Sequence, residues 1–88
     1  MTNLKEISDN IKSKNLKEAL RLCEIYNDKS NQHIIFNFKG VIHLIKNDLE
    51  LSEQYFIKST EIQPKYEDPI KNLYLVYLKK KLINKMLV

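Results

Sequence analysis

Few residues in this chain could do chemistry. His33 and His43 stand ten positions apart. On one helix that is about 15 Å, too far to share a metal ion. Cys23 is the only cysteine, so no intrachain disulfide can form, which fits a reducing compartment. A nucleophilic Cys–His pair would need His43 to swing onto Cys23. The apolar setting of Cys23 gives it instead the place of a small buried hydrophobe, and His43 reads as a half-buried, hydrogen-bonded core residue. With one glycine in the chain there is no glycine-rich phosphate loop, nor a cluster with metal-ligand spacing. The carboxylates are scattered among lysines, and Glu50 with its neighbours suits helix-face ion pairs. The expectation is a protein that is not an enzyme and has no catalytic residues, metal, cofactor or small-molecule substrate.

The elements that carry these residues are helices. A chain of 88 residues makes one small domain, burying roughly 60–65% of its unfolded surface. Hydrophobic content is 43%, with one Gly and two Pro, too few turn residues for hairpins or sandwiches. The net charge is +4, but Arg21 is the only arginine, and base-edge readout and phosphate clamping favour arginine forks. Nucleic acid is not expected as a partner. No apolar run approaches the ~18 residues of a membrane span, and "MTNLKEISDN" lacks the features of a signal peptide. A soluble cytoplasmic protein, not associated with membrane, is expected.

Periodicity predicts five helices. The first runs from about Thr2 to Ser13 on Leu4, Ile7 and Ile11, and the second from about Leu16 to Asn27. "NDKSN" (27–31) is a turn by composition. A third helix, about Gln32 to Lys46, is apolar nearly all round, as befits one covered on several sides. Asn47 and Asp48 break it, and a fourth runs from about Leu49 to Gln63, stopped by Pro64. Asp68 and Pro69 supply a cap and a first-turn proline for a fifth, expected to run on to about Leu87 as a terminal cap; the alternative is that the chain is the opening segment of a longer array.

Sliding the chain by 33 residues lays "KNLKEALRLCEIY" (14–26) over "NDLELSEQYFIKS" (47–59), with most apolar positions coinciding. Gly40 then gains a purpose. It precedes Ser52 by twelve residues, Phe56 by sixteen, Ser59 by nineteen and Pro64 by twenty-four. Ser52, Phe56 and Ser59 share one face of the fourth helix, so a spot without a side chain on the third lets the two axes approach. This pattern resembles the tetratricopeptide repeat: small, then small, aromatic, small, then a terminating proline. The resemblance covers one full repeat (33–66), flanked by a degenerate repeat (1–32) and a terminal helix (67–88). In the last, "NLYLVY" (72–77) is similar to the family's Asn-Leu-Gly-x-x-Tyr run, with Tyr74 in the glycine's place. Lys39 stands where the family usually has Leu, and His43 where it usually has Tyr.

The resemblance implies an all-α, short right-handed solenoid of antiparallel helix pairs whose first helices line a concave groove. The groove residues so implied are Lys5, Ser8 and Lys12 from the first helix. The third contributes Ile34, Asn37, Phe38, Val41 and Ile45, and the fifth Lys71, Asn72, Leu75 and Lys79. Asn72 matches the asparagine with which the family often holds a peptide backbone. Ile34, Phe38, Val41 and Ile45 make an apolar stripe, and a contiguous exposed stripe marks a contact; the alternative is that the array curls over it and encloses it. The expected partner is a protein or peptide, held as an apolar segment with acidic flanks. Two alternatives stand beside this: a homodimer formed through the groove stripe or the fifth helix, and a docking domain of a larger enzyme.

Overall fold

Caps and turn chemistry decide where each helix begins and ends. The computed structural model describes residues 2–87, and these are all-α. The described residues form five α-helices: α1 (Leu4–Lys12), α2 (Leu16–Ile25), α3 (Gln32–Ile45), α4 (Leu49–Ile62) and α5 (Asp68–Leu87). A short 3-10 turn, Lys29–Asn31, leads into α3. Successive helices pack on one another as in a tetratricopeptide-like fold. None of them is long and apolar enough to cross a membrane.

The boundaries lie within two residues of those the sequence predicts, and each shift has a local cause. α1 starts at Leu4 rather than Thr2 because the Asn3 side chain accepts from Glu6 N–H (2.8 Å) and so caps it. α2 stops at Ile25 because Tyr26 turns extended, and the Tyr26 hydroxyl then accepts from the Asn31 amide (3.1 Å). Two turns close the helix pairs in the same way. Lys14 and Asn47, 33 positions apart, both adopt a left-handed backbone with φ of 63° and 64°. The next residue in each case, Asn15 or Asp48, donates its N–H back to a carbonyl five residues earlier, Asn10 or His43, at 2.8 Å. This is the Schellman closure. Asparagine tolerates the left-handed conformation well, whereas lysine gives up roughly 1 kcal/mol there. No third turn interrupts α5, which continues to Leu87 as the sequence predicts.

α3 is shared by two apolar clusters. One joins Ile7 and Ile11 of α1, Ala19, Leu22 and Cys23 of α2, and Ile35 and Ile42 of α3. The other joins Leu49 and Phe56 of α4 to Val76 of α5, with Val41, Leu44 and Leu73 packed against them. Between α3 and α4 the Phe56 ring lies in the space that a Cβ on Gly40 would need. The facing serines do more than leave room. Ser52 Oγ donates to the Gly40 carbonyl (2.8 Å) and Ser59 Oγ to the His33 carbonyl (2.6 Å), tying the helices together inside the contact.

Two polar residues, one buried and one exposed, differ from expectation. His43 is buried (8% exposed), not half-buried, and its Nδ1 has no hydrogen-bond partner. Its ring stacks on Tyr55 (centroids 5.5 Å apart), so packing holds it rather than a hydrogen bond. Glu50 pairs not along its own helix but across to Lys80 of α5 (2.9 Å), which also binds Glu53 (3.0 Å). Lys39, in the place of a family leucine, runs its stem beneath the surface, lies near the Phe36 and Tyr55 rings, and reaches Glu24 of α2 (3.1 Å).

Candidate functional site

α1, α3 and α5 flank a groove that α2 and α4 do not line, and two adjoining clefts run along it. The first, about 310 Å3, is lined by Ser8, Ile11 and Lys12 of α1, Asn37, Phe38 and Val41 of α3, and Asp68, Lys71 and Asn72 of α5. The second, about 420 Å3, lies further along both α3 and α5. Leu44, Ile45, Leu75, Leu78 and Leu82 line it, with Lys14 and Lys79 among them. The first cleft mixes amides, charges and an aromatic edge; the second is leucine and isoleucine bordered by lysine.

Of the twelve groove residues the sequence singles out, ten fall in these clefts. Ser8, Lys12, Asn37, Phe38, Val41, Lys71 and Asn72 meet in the first, and Ile45, Leu75 and Lys79 in the second. Lys5 is not brought there, because it reaches along its own helix to Asp9 (2.8 Å). Ile34, half-buried one turn before Asn37, lies outside both. The apolar stripe is neither bare nor enclosed. Phe38, Val41 and Ile45 are half-buried, one side against the core of α1 and α2 and the other in the groove.

The two asparagines are joined in a way that spacing does not show. Asn72 Nδ2 donates to Asn37 Oδ1 (3.0 Å), and Asn37 Nδ2 donates to the Tyr66 hydroxyl (3.4 Å). Asn37 is 4% exposed, so its amide serves to fix Asn72, leaving Asn72 as the amide that meets the cleft. Burial and the neighbouring Asp68 carboxylate push the Tyr66 phenol up to about 12, so it stays a neutral donor. Tyr66 is held in turn by the edge of the His33 ring (5.1 Å between centroids). An amide fixed by a buried partner is pre-set to bond a peptide backbone, which lowers the ordering cost of binding.

Cys23 and His43 lie outside both clefts. Cys23 is buried, and desolvation raises its thiol to about 11, which keeps it protonated and inert. Burial, with Lys46 and Lys39 nearby, lowers the His43 pKa and favours the neutral ring. Among the described residues no three His, Cys, Asp or Glu side chains gather as a metal site would require.

Over 63 residues, 72% of this chain, the sequence is 33% identical to the photosystem I assembly protein Ycf3 of Rippkaea orientalis (strain PCC 8801 / RF-1). The chain spans about a third of that protein's length. No family model matches the chain, and no solved structure does.

Ile11, Leu44, Asp68 and Leu78 also line the clefts and lie on the groove stripes that the repeat resemblance implies for their helices, whereas Leu82 and Lys14 escaped sequence reasoning. Helical spacing offered the signal for Leu82, since Leu75, Leu78 and Leu82 recur at three and four. Lys14 had no such signal; only the turn after α1 carries it to the second cleft.

Proposed function

We propose that this chain is a non-catalytic protein-interaction module. Its concave groove holds an apolar partner segment, helical or extended, with acidic residues at its flanks. The observation that carries this reading is the second cleft, five exposed or half-buried leucines and isoleucines bordered by Lys14 and Lys79, continuing into a cleft with Lys12, Lys71 and a fixed asparagine amide. Apolar anchors would fill the leucine end, and the lysines would attract carboxylates and fix register. Similarity to a protein described as a photosystem I assembly protein supports a protein partner over a small molecule. We further read residues 1–32, 33–66 and 67–88 as successive units of one array; the matching turns at Lys14 and Asn47 support the equivalence of the first two.

The test is fluorescence anisotropy with a labelled amphipathic peptide carrying leucines at i, i+3 and i+7 and glutamates at both ends. It should bind with micromolar affinity that weakens as salt screens the lysines. Leu78→Asp with Leu82→Asp should cut that affinity at least about tenfold, and lysine-flanked peptide should bind less well. Equal binding of the two peptides, or indifference to the double variant, would remove the groove from the account.

A further inference from the structure

α5 has a third side, between its contact with α4 and the groove, which only Tyr77 shares with α4. Glu67, Ile70, Tyr74, Tyr77, Lys81 and Asn84 follow one another at alternating spacings of three and four, the spacing of a seam between paired helices. The seam is apolar at its middle and polar at its ends. Ile70, Tyr74 and Tyr77 are 49%, 65% and 50% exposed. It is also self-complementary when reversed. Laid antiparallel on its own copy, Tyr74 meets Tyr77 of the second copy, and Ile70 meets the alkyl stem of Lys81. Glu67 falls beside Asn84 and Lys85 of the second copy. We propose that this face of α5 binds the same face of a second copy of this chain, as an antiparallel helix seam about a twofold axis.

Three observations favour that occupant. Charge is divided along the seam, with Glu67 at its start and Lys81, with Lys85 beside it, near its end. Antiparallel pairing sets opposite charges together and opposes the two helix dipoles, whereas parallel pairing sets like against like. Tyr74 occupies the place that Gly40 has in α3. α4 packs closely because Gly40 lacks a Cβ, so a tyrosine there holds any neighbour at a wider spacing, which two interleaved aromatic layers fill. Tyr77, finally, lies beside a carboxylate that is itself held. The Glu53 carboxylate beside it raises its phenol pKa, and Lys80 clamps Glu53 and Glu50 to α5. A side chain fixed before contact loses less freedom on binding. The groove reading is not needed for any of these.

Sedimentation of the 88-residue chain across a concentration series tests the proposal. A seam this short buries less than the roughly 1,000 Å2 of a stable interface, so a monomer–dimer equilibrium at tens of micromolar is expected. Tyr74→Lys should leave a folded monomer, with circular dichroism unchanged. Glu67→Lys and Lys85→Glu should each weaken the dimer about tenfold, and together restore it to within about threefold of the parent. Leu82→Asp, in the groove, should leave the dimer intact. A parent that stays monomeric at about 500 µM would overturn the proposal. So would a dimer that survives Tyr74→Lys, or one that Leu82→Asp abolishes. Failure of the charge exchange to rescue would dismiss the antiparallel seam.

Discussion

Phe36, Gly40 and His43 on α3 and Ile70, Tyr74 and Tyr77 on α5 occupy the same face of two helices, 34 residues apart. On α3 that face is covered. Tyr55 stacks on Phe36 (6.1 Å) and on His43, and Phe56 fills the space above Gly40. On α5 the same face stands open. The difference locates the two properties of the molecule. Stability resides where a helix without a side chain at one position accepts an aromatic ring. The proposed contact between copies lies where a large side chain replaces that glycine and none of the described helices covers it.

The covered face should fail most severely when emptied. Phe56→Ala removes a fully buried ring, and such changes cost about 3–5 kcal/mol, a large share of what holds a domain of this size. Thermal or urea unfolding should show most of the cooperative transition lost. A variant that melts with the parent would mean that the α3–α4 contact is not the stabilising one.

Overfilling the same contact should come next. Gly40→Leu forces side-chain atoms into the Phe56 ring and should cost about 1–3 kcal/mol. Gly40→Ala should also destabilise, because its single Cβ already meets that ring, although about 1 kcal/mol of helix propensity offsets the clash. An unchanged melting temperature for Gly40→Leu would undo the close-approach argument.

A smaller effect should appear with pH at the edge of the covered face. An unfolded imidazole takes up its proton near pH 6.5. Burial and the nearby Lys46 and Lys39 hold folded His43 below that, with Asp48 opposing them. Between the two values the unfolded chain binds more protons, so stability rises with pH. This contribution is complete above about pH 6.5 and is lost as pH falls toward the folded value. Because Nδ1 has no partner, His43→Phe should keep or raise stability at pH 7 and flatten the slope below it. A slope that persists in the variant would assign the effect to other groups.

The smallest effect belongs to the open face. Tyr74→Leu, the same position one repeat later, should change the stability of the monomer by less than about 0.5 kcal/mol. A large loss there would mean that Tyr74 is core, and the contrast between the two faces would collapse.

Much of this contrast is legible in the sequence because it rests on local rules. Gly40 with Ser52, Phe56 and Ser59 lies at fixed helical spacings, and Asn47, Pro64 and Pro69 mark their turns through backbone chemistry alone. No turn residue stands between Lys79 and Lys81, where a third turn would be due, and α5 runs through that point. What escaped depends on side chains brought together by packing. The Asn72–Asn37–Tyr66 chain links residues 29 and 35 positions apart. Serines chosen for their size also turn out to donate to carbonyls of the facing helix. The Glu50–Lys80 pair crosses between helices, while i, i+4 spacing points to partners on the same helix. Periodicity assigns a residue to a face, but only the packed helices decide which polar groups meet.

The groove itself is tested most directly by following backbone amide resonances of the labelled chain while the glutamate-flanked amphipathic peptide is added. The account predicts that saturable shifts gather on Leu44, Ile45, Leu75, Leu78 and Leu82, extend to Lys14, Lys79 and Asn72, and leave α4 largely unmoved. Shifts gathered on α4 or on the Ile70–Tyr74–Tyr77 face, or no saturable shifts at all, would contradict a groove that binds this class of partner.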